Sequence, residues 1–238
     1  MKRLFRGRWL LLTILVIIGV AIMLRLGIWQ LDRLAERRAS NAQIQARLDM
    51  PVVDLNAPDA NLADLVYRRV RVSGSFDPAH EVVLRSQARL DQPGQHIVTP
   101  LRFGSDGQAI LVDRGWIPYD QSPARYPPPA TAVIEGVVQA SQQRSGALSP
   151  VDPTPAPDAP PLEQWYRVDI PAIQGQVPYA LLPVYVQAAP SDGETGLPAR
   201  DVALDLSEGP HLGYAIQWFA FSVILLVGYV ALVRQKER

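Results

Sequence analysis

The sequence predicts an α+β chain in which two transmembrane helices flank a mainly antiparallel β domain. Three observations lead there: an apolar run near each end, a stretch after the first run free of Gly and Pro up to Pro51, and short segments of period-two alternation between residues 67 and 189.

The first run, "WLLLTILVIIGVAIML" from Trp9 to Leu24, is interrupted only by Thr13, and after Arg25 it resumes as "LGIW" to Trp29. Crossing roughly 30 Å of hydrocarbon at about 1.5 Å per residue takes about 20 residues. The run to Leu24 falls short, so Arg25 is expected near the outer interface. Its stem stays in lipid while the guanidinium snorkels to the headgroups beside Trp29. The second run, Tyr214 to Val233, carries no charge. We assign residues 9–30 and 211–233 as the two spans. A cleavable signal peptide competes for the first run, because Gly19-Val20-Ala21 has small-x-small spacing after a basic start. The apolar stretch continues past Ala21, however, and nothing small and polar follows. Entry into the span after so few residues also leaves no room for an Arg/Ser-rich organellar transit peptide, which points to a bacterial protein.

Lys2, Arg3, Arg6 and Arg8 precede the first span without an acid, and Arg234, Lys236 and Arg238 follow the second against Glu237. The positive-inside bias puts both tips, residues 1–8 and 234–238, in the cytoplasm of a bacterial inner membrane, as an even number of crossings requires. Residues 31–210 then form an extracytoplasmic domain. The whole chain has 23 basic and 23 acidic residues; setting aside those seven bases and one acid leaves 16 against 22, a net of −6. A nucleic-acid binder would want the opposite sign. With no cysteine, thiolate metal sites, iron–sulfur ligation, disulfides and covalent haem attachment are excluded.

Past Trp29, "QLDRLAERRASNAQIQARL" is built of strong helix formers, so the first span is expected to continue as one helix to about Leu48. Asp32 and Glu36 fall within one helical turn of neighbours among Arg33, Arg37 and Arg38, at spacings that allow pairing. In "YRRVRVSGSF" (67–76), Val70, Val72 and Phe76 share one face, the alternation of a half-buried strand. Further strands are read at 81–87, 96–103, 109–116, 132–139 and 183–189. "DQPG" (91–94) and "GSDG" (104–107) read as hairpin connections, and such short links favour antiparallel pairing. Pro100 should mark an edge or a bulge, since it cannot donate to the ladder. The Pro-rich stretches 122–130 and 149–163 are read as loops. "DIPAIQG" (169–175) reads as a short helix with Pro171 near its start and Gly175 as terminator.

Candidate site residues are few. His80 and His96 are expected to be solvated strand-end residues. No GxSxG elbow frames a serine, so an envelope enzyme working through Asp113, Arg114 or His96 lacks a matched nucleophile and base; no catalytic residue is assigned and the chain is not expected to be an enzyme. Asp113-Arg114-Gly115-Trp116 follows the apolar Ala109–Val112 and has two readings: a strand-end turn in which Arg114 pairs with Asp113 or a carbonyl, or a rigid Arg/Trp contact surface of the kind that dominates binding hot spots. His211 shares a helical face with Tyr214, Ala215, Trp218 and Ser222. One reading is an interfacial aromatic belt. Against it, Ala215 and Ser222 permit close helix packing, and a neutral imidazole there is able to ligate haem iron through one axial bond, which would leave the haem loosely held and transferable.

Taken together, several segments resemble the surfeit-locus-one family over nearly the whole chain. Gly27, Trp29, Gln30 and Arg33 fit its G-x-W-Q-x-x-R pattern, and Tyr67, Val70, Val72 and Gly74 fit its first strand. Gly94, Thr99-Pro100 and Asp113-Arg114-Gly115-Trp116-Ile117-Pro118 look like its central signatures. Trp165-Tyr166-Arg167 with Asp169 and His211-Leu212-Gly213-Tyr214 with Trp218 look like its last two. Here Gly209-Pro210 precedes the histidine, where many relatives carry asparagine. The resemblance implies an assembly factor for haem-copper cytochrome c oxidase, acting on subunit I with membrane lipid around its anchors and haem a synthase as a further partner. It also implies a role for His211 as the haem a ligand, with no metal site of its own.

Overall fold

The computed structural model describes residues 7–57, 61–62, 64–144, 146, 149–152, 160–190, 196–200 and 204–237. The basic residues Lys2, Arg3, Arg6 and Arg238 lie outside them, as does the centre of the second Pro-rich stretch. The chain divides into two compact units, Met1–Gln45 with Asp205–Arg238, and Ala46–Leu204.

The first unit is a pair of helices. Helix α1 runs Arg8–Leu48 without a break. It stops at Asp49-Met50-Pro51, where proline pushes the residue before it out of the helical region. The last helix, α3, covers His211–Glu237, and its first turn opens with the Tyr214 N–H donating to the Pro210 carbonyl at 3.1 Å. Both are long and apolar enough to cross a membrane. The two lie antiparallel. Gln30 meets His211 at 2.8 Å and the hydroxyls of Thr13 and Tyr229 meet at 2.5 Å, while Val16, Ala215 and Ser222 are buried. A Cβ on Gly27 would lie 2.6 Å from the Phe219 ring, so only glycine lets that ring rest on the α1 backbone. Beyond this contact the aliphatic side chains stay exposed, Leu11, Ile17, Val223 and Ile224 among them, an arrangement water does not tolerate over so large an area.

Arg33 pairs with Glu36 at 2.7 Å, as the spacing suggests. Arg37 and Arg38 do not use Asp32. Arg37 donates to the Asp205 carboxylate at 3.0 Å and the Ser207 carbonyl at 3.1 Å, and Arg38 forms a two-pronged pair with Glu208 at 2.8 Å. Asn41 adds a bond to the Leu206 carbonyl at 2.6 Å. The segment before α3 is thereby fastened along α1, which brings His211 to the level of Gln30.

The second unit is a sheet of eight strands: β1 (Val53–Asp54), β2 (Arg69–Phe76), β3 (Val82–Arg89), β4 (Gln92–Arg102), β5 (Ala109–Pro118), β6 (Thr131–Ala140), β7 (Gln164–Trp165) and β8 (Leu181–Ala188). Their order is β1-β2-β6-β8-β5-β4-β3-β7, and β4 returns to β2 through Ser75–Arg102 and Phe76–Leu101. Strands β2, β6, β8, β5 and β4 therefore close a five-stranded barrel. At the seam a Cβ on Gly74 would collide with the Arg102 carbonyl. The six expected strands are all present, and most pairs are antiparallel. The β1–β2, β3–β7 and β5–β8 pairs are parallel; the last arises because β8 follows a long crossover and enters between β6 and β5 rather than by a hairpin. The crossover carries α2 (Ile170–Gln174), whose N-cap Asp169 accepts from the Ala172 N–H.

Inside the barrel, Val70, Val72, Leu101, Ile110, Val112, Val138 and Val186 pack together. On the outer face Ile170 and Ile173 of α2 and Trp165 of β7 cover Val82, Leu84, Val98, Leu111 and Tyr185. With cores on both sides, β5 is buried almost from end to end, as its unbroken apolar run predicts. The β3–β4 turn is Leu90-Asp91, both in the left-handed region at φ 47° and 60°. It precedes the 91–94 position read from composition, and Gln92 and Pro93 already belong to β4. Pro100 sits at a local edge: its carbonyl accepts from Asp77, β3 leaves β4 at Val98, and β2 joins only at Leu101.

Candidate functional site

Three polar groupings contain the residues singled out above. The first is His211 at the start of α3. Its Nδ1 lies 2.8 Å from the Gln30 Oε1 of α1, so Nδ1–H donates to the amide oxygen, and in the neutral ring the lone pair is on Nε2. A partner on one ring nitrogen fixes both tautomer and ring orientation, which is how ligating histidines are prepared. Gly209, at φ 67°, stands beside the ring; even a Cβ there would come only to 3.6 Å of Nε2. Ala215 and Ser222 face α1 and are buried, whereas Tyr214 points outward and is exposed. The histidine belongs to the packed face rather than to an outward belt. Sequence reading missed Gln30 as its partner, although one residue closes the first apolar run and the other opens the second, a shared position that was legible.

The second grouping is built by a bulge. In the β4–β5 register Ile97 faces Gly115 and Val98 faces Asp113, so Arg114 is the extra residue and both side chains are re-aimed. Asp113 turns to His96, with Nδ1 at 2.8 Å from Oδ2, and also accepts the Gly115 N–H at 3.0 Å. Gly115 takes φ 125°, a conformation that favours glycine. Arg114 turns the other way. It donates to Thr99 Oγ1 at 2.9 Å, to the Glu81 carboxylate at 2.9 Å and to the Tyr126 carbonyl at 2.8 Å, with its guanidinium carbon 5.9 Å from the Phe76 ring centre. Burial lowers its pKa, Glu81 opposes that shift, and the charge of Arg200 adds to it. Only 5% of Arg114 and 4% of Trp116 are exposed, and the indole N–H donates to the Gln87 carbonyl at 3.1 Å. Of the two readings, the contact surface is therefore wrong: these side chains are internal. Arg114 does pair with a carbonyl, but its acid is Glu81, not Asp113.

The third grouping is Asp77 with His80 and Tyr179. The Asp77 carboxylate takes His80 Nδ1 and the Tyr179 hydroxyl, each at 2.8 Å, and the Ala79 N–H at 3.1 Å. Burial pushes its pKa up, but these bonds outweigh it and hold the carboxyl below its ordinary value. Burial and the same carboxylate push the Tyr179 phenol well up, and burial with the charge of Asp113 pushes Tyr185 up to about 12. Neither His80 nor His96 is a free strand-end residue; each is committed to an aspartate. Trp165 and Asp169 are likewise structural, one buried beneath α2 and the other capping it. Among the described residues no cluster of three or more His, Asp or Glu is arranged to hold a metal ion.

These features define a class: a closed β-barrel unit on the same chain as a hydrogen-bonded pair of helices, long and apolar enough to cross a membrane, with an oriented imidazole at one end of the pair. The chain belongs to the SURF1 family, whose profile matches residues 17–223 and so takes in the barrel, most of α1 and the start of α3. Among its relatives, the SURF1-like protein of Monosiga brevicollis is 28% identical over 95% of this chain and 87% of its own length. That of Rickettsia felis is 28% identical over 92% and 95%, and a SURF1-like protein of Mycobacterium bovis is 27% identical over 94% and 83%.

Proposed function

We propose that this chain is a membrane-anchored assembly factor for haem-copper cytochrome c oxidase. It assists haem a insertion into, or maturation of, subunit I, and it performs no catalytic chemistry of its own. Family membership across the helices and the barrel carries this reading. In the arrangement that fits it, α1 and α3 cross a bacterial inner membrane, both termini are cytoplasmic, and residues 31–210 are extracytoplasmic, where haem a synthase and subunit I present their outer faces. Deleting the gene is expected to lower oxidase activity and haem a content together, with recovery on re-expression. Normal values in the deletion strain would refute the role, and reporter fusions placing residues 60–200 in the cytosol would refute the topology.

A second reading, a haem a carrier, is favoured by the Gln30–His211 bond. The residues fit one axial contact: Nδ1–H is held by Gln30, and Nε2 is left as the donor atom. When bound, the haem would supply only its iron as the acceptor of that bond. Gln30 orients the ring, and the fastening of residues 205–208 to α1 keeps it in place. His211→Ala is expected to abolish the pigment of the purified protein and Gln30→Leu to weaken it, whereas His80→Ala and His96→Ala retain it. An unchanged spectrum in His211→Ala would remove the carrier role.

A further inference from the structure

Arg25 lies within the apolar part of α1, four residues and about 6 Å inward of Trp29. No hydrogen bond or ion pair engages it among the described residues. Arg33, further along the same stripe, is occupied by Glu36 at 2.7 Å and by the Trp29 ring at 5.9 Å. Around Arg25 is a shallow, open groove on the helix surface lined by Ile18, Ala21, Ile22, Arg25 and Leu26. Its residues recur at i, i+3, i+4, i+7 and i+8, and so share one face of the helix. That face is not the one used by α3, which packs on Gly19 and Gly27 and bonds to Gln30; Ile18 and Ile22 remain 49% and 54% exposed.

A cation near the end of an apolar span keeps its stem in lipid and carries its charge to headgroup depth, where it meets the anionic groups of the bilayer. Here the groove specifies the contact by shape and charge: aliphatic along most of its length, with one cation at the end nearer the headgroups. We propose that it binds an anionic phospholipid, the phosphodiester on the Arg25 guanidinium and one acyl chain along Ile18, Ala21, Ile22 and Leu26. Guanidinium matches phosphate oxygens with two parallel hydrogen bonds, and snorkelling brings it to headgroup depth. Arg25 and Gln30 are about 140° apart around the helix at 3.6 residues per turn, so the groove is separate from the His211 edge. The inference rests on α1 lying in a membrane and not on the oxidase role.

Full-length protein in mild detergent, offered phosphatidylglycerol or phosphatidylcholine of identical acyl chains, is to be weighed by native mass spectrometry. Both lipids offer the phosphodiester, but the quaternary ammonium of phosphatidylcholine cancels its charge, so the attraction of one arginine to the net anionic headgroup predicts about a fivefold preference for phosphatidylglycerol. Arg25→Leu should erase that preference and Arg25→Lys should keep part of it. Ala21→Leu, which fills the groove but keeps the cation, should reduce retention of both lipids. All three changes lie off the α3 contact. Equal retention by the wild type, or a preference that survives Arg25→Leu, overturns the proposal. So does release of a co-purifying membrane protein by Arg25→Leu with lipid retention unchanged, which would make a partner's acid the counter-charge. Recovery of the wild type from the soluble fraction without detergent would instead remove the membrane reading itself.

Discussion

Arg114 is a cation taken almost fully out of water, and its stability contribution depends on what remains when a partner is lost. Glu81, Thr99 and the Tyr126 carbonyl match its Nε and Nη2 donors. Removing Glu81 alone leaves a buried charge uncompensated, which typically costs about 3–5 kcal/mol, whereas replacing both partners by apolar groups is often close to neutral. Glu81→Leu is therefore expected to destabilise the barrel by about 3 kcal/mol or more in urea unfolding followed by Trp116 and Trp165 fluorescence, and Glu81→Leu with Arg114→Met to recover most of the loss. A double variant as unstable as the single one would show that packing, not the orphaned charge, is responsible. In the sequence Arg114 was conspicuous but its partner was not. Glu81 lies on the far side of an intervening hairpin, and the bulge that re-aims Arg114 exists only relative to β4. The same limit hid the Gln30–His211 bond: each residue is legible as polar at the end of an apolar run, but their contact is a property of helix packing.

Elements were legible where their residues carry the period themselves. Alternation in residues 69–76 marks β2, and the run of helix formers marks the extension of α1 to Leu48. Two kinds of element were not. Strands β1 and β7 have two residues each, too few to show any period, and are paired by their neighbours. The β3–β4 turn uses Leu90, 83% exposed and left-handed, while the Pro and Gly that usually mark turns lie inside the next strand. The helix pair shows how one position controls an element. Gly27→Val would drive a branched side chain into the Phe219 ring, separating α1 from α3. The chain has no cysteine, so Thr13→Cys with Tyr229→Cys gives an uncluttered crosslinking probe at the other end of the pair. The Thr13–Tyr229 contact is made by the tip of a long tyrosine, too far between backbones for a direct disulfide, so a short bismaleimide is expected to join the pair, to join it poorly in the Gly27→Val background, and to recover when Phe219→Ala makes room. Undiminished crosslinking in Gly27→Val would show that the ring contact does not set the helix spacing.

At the scale of the whole molecule, closure of the sheet is what lets the second unit stand by its own contacts. The β2–β4 return removes the barrel's free edges, and both apolar cores are assembled from residues between Val53 and Ala188. That closure was not legible in the sequence, because it depends on two residue pairs at the ends of β2 and β4 and on the insertion of β8. A fragment of residues 46–204 is accordingly expected to fold cooperatively without α1 and α3, and to report the Asp77 cluster in isolation. Since the native Asp77 carboxyl lies below its ordinary value, folding favours the ionised form. Its contribution is fully present above the unfolded value of about 3.9 and is lost as pH falls from there through the lower native value. The wild-type fragment should thus lose stability on acidification across that window. Asp77→Asn, which cannot ionise, should be less stable by about 1–3 kcal/mol at neutral pH and should show a shallower acid slope. Parallel slopes for the two fragments in urea unfolding from pH 6 to pH 3 would mean that other carboxylates govern the acid response, and equal stability at neutral pH would mean that the hydrogen bonds of Asp77 to Tyr179 and His80 are energetically silent.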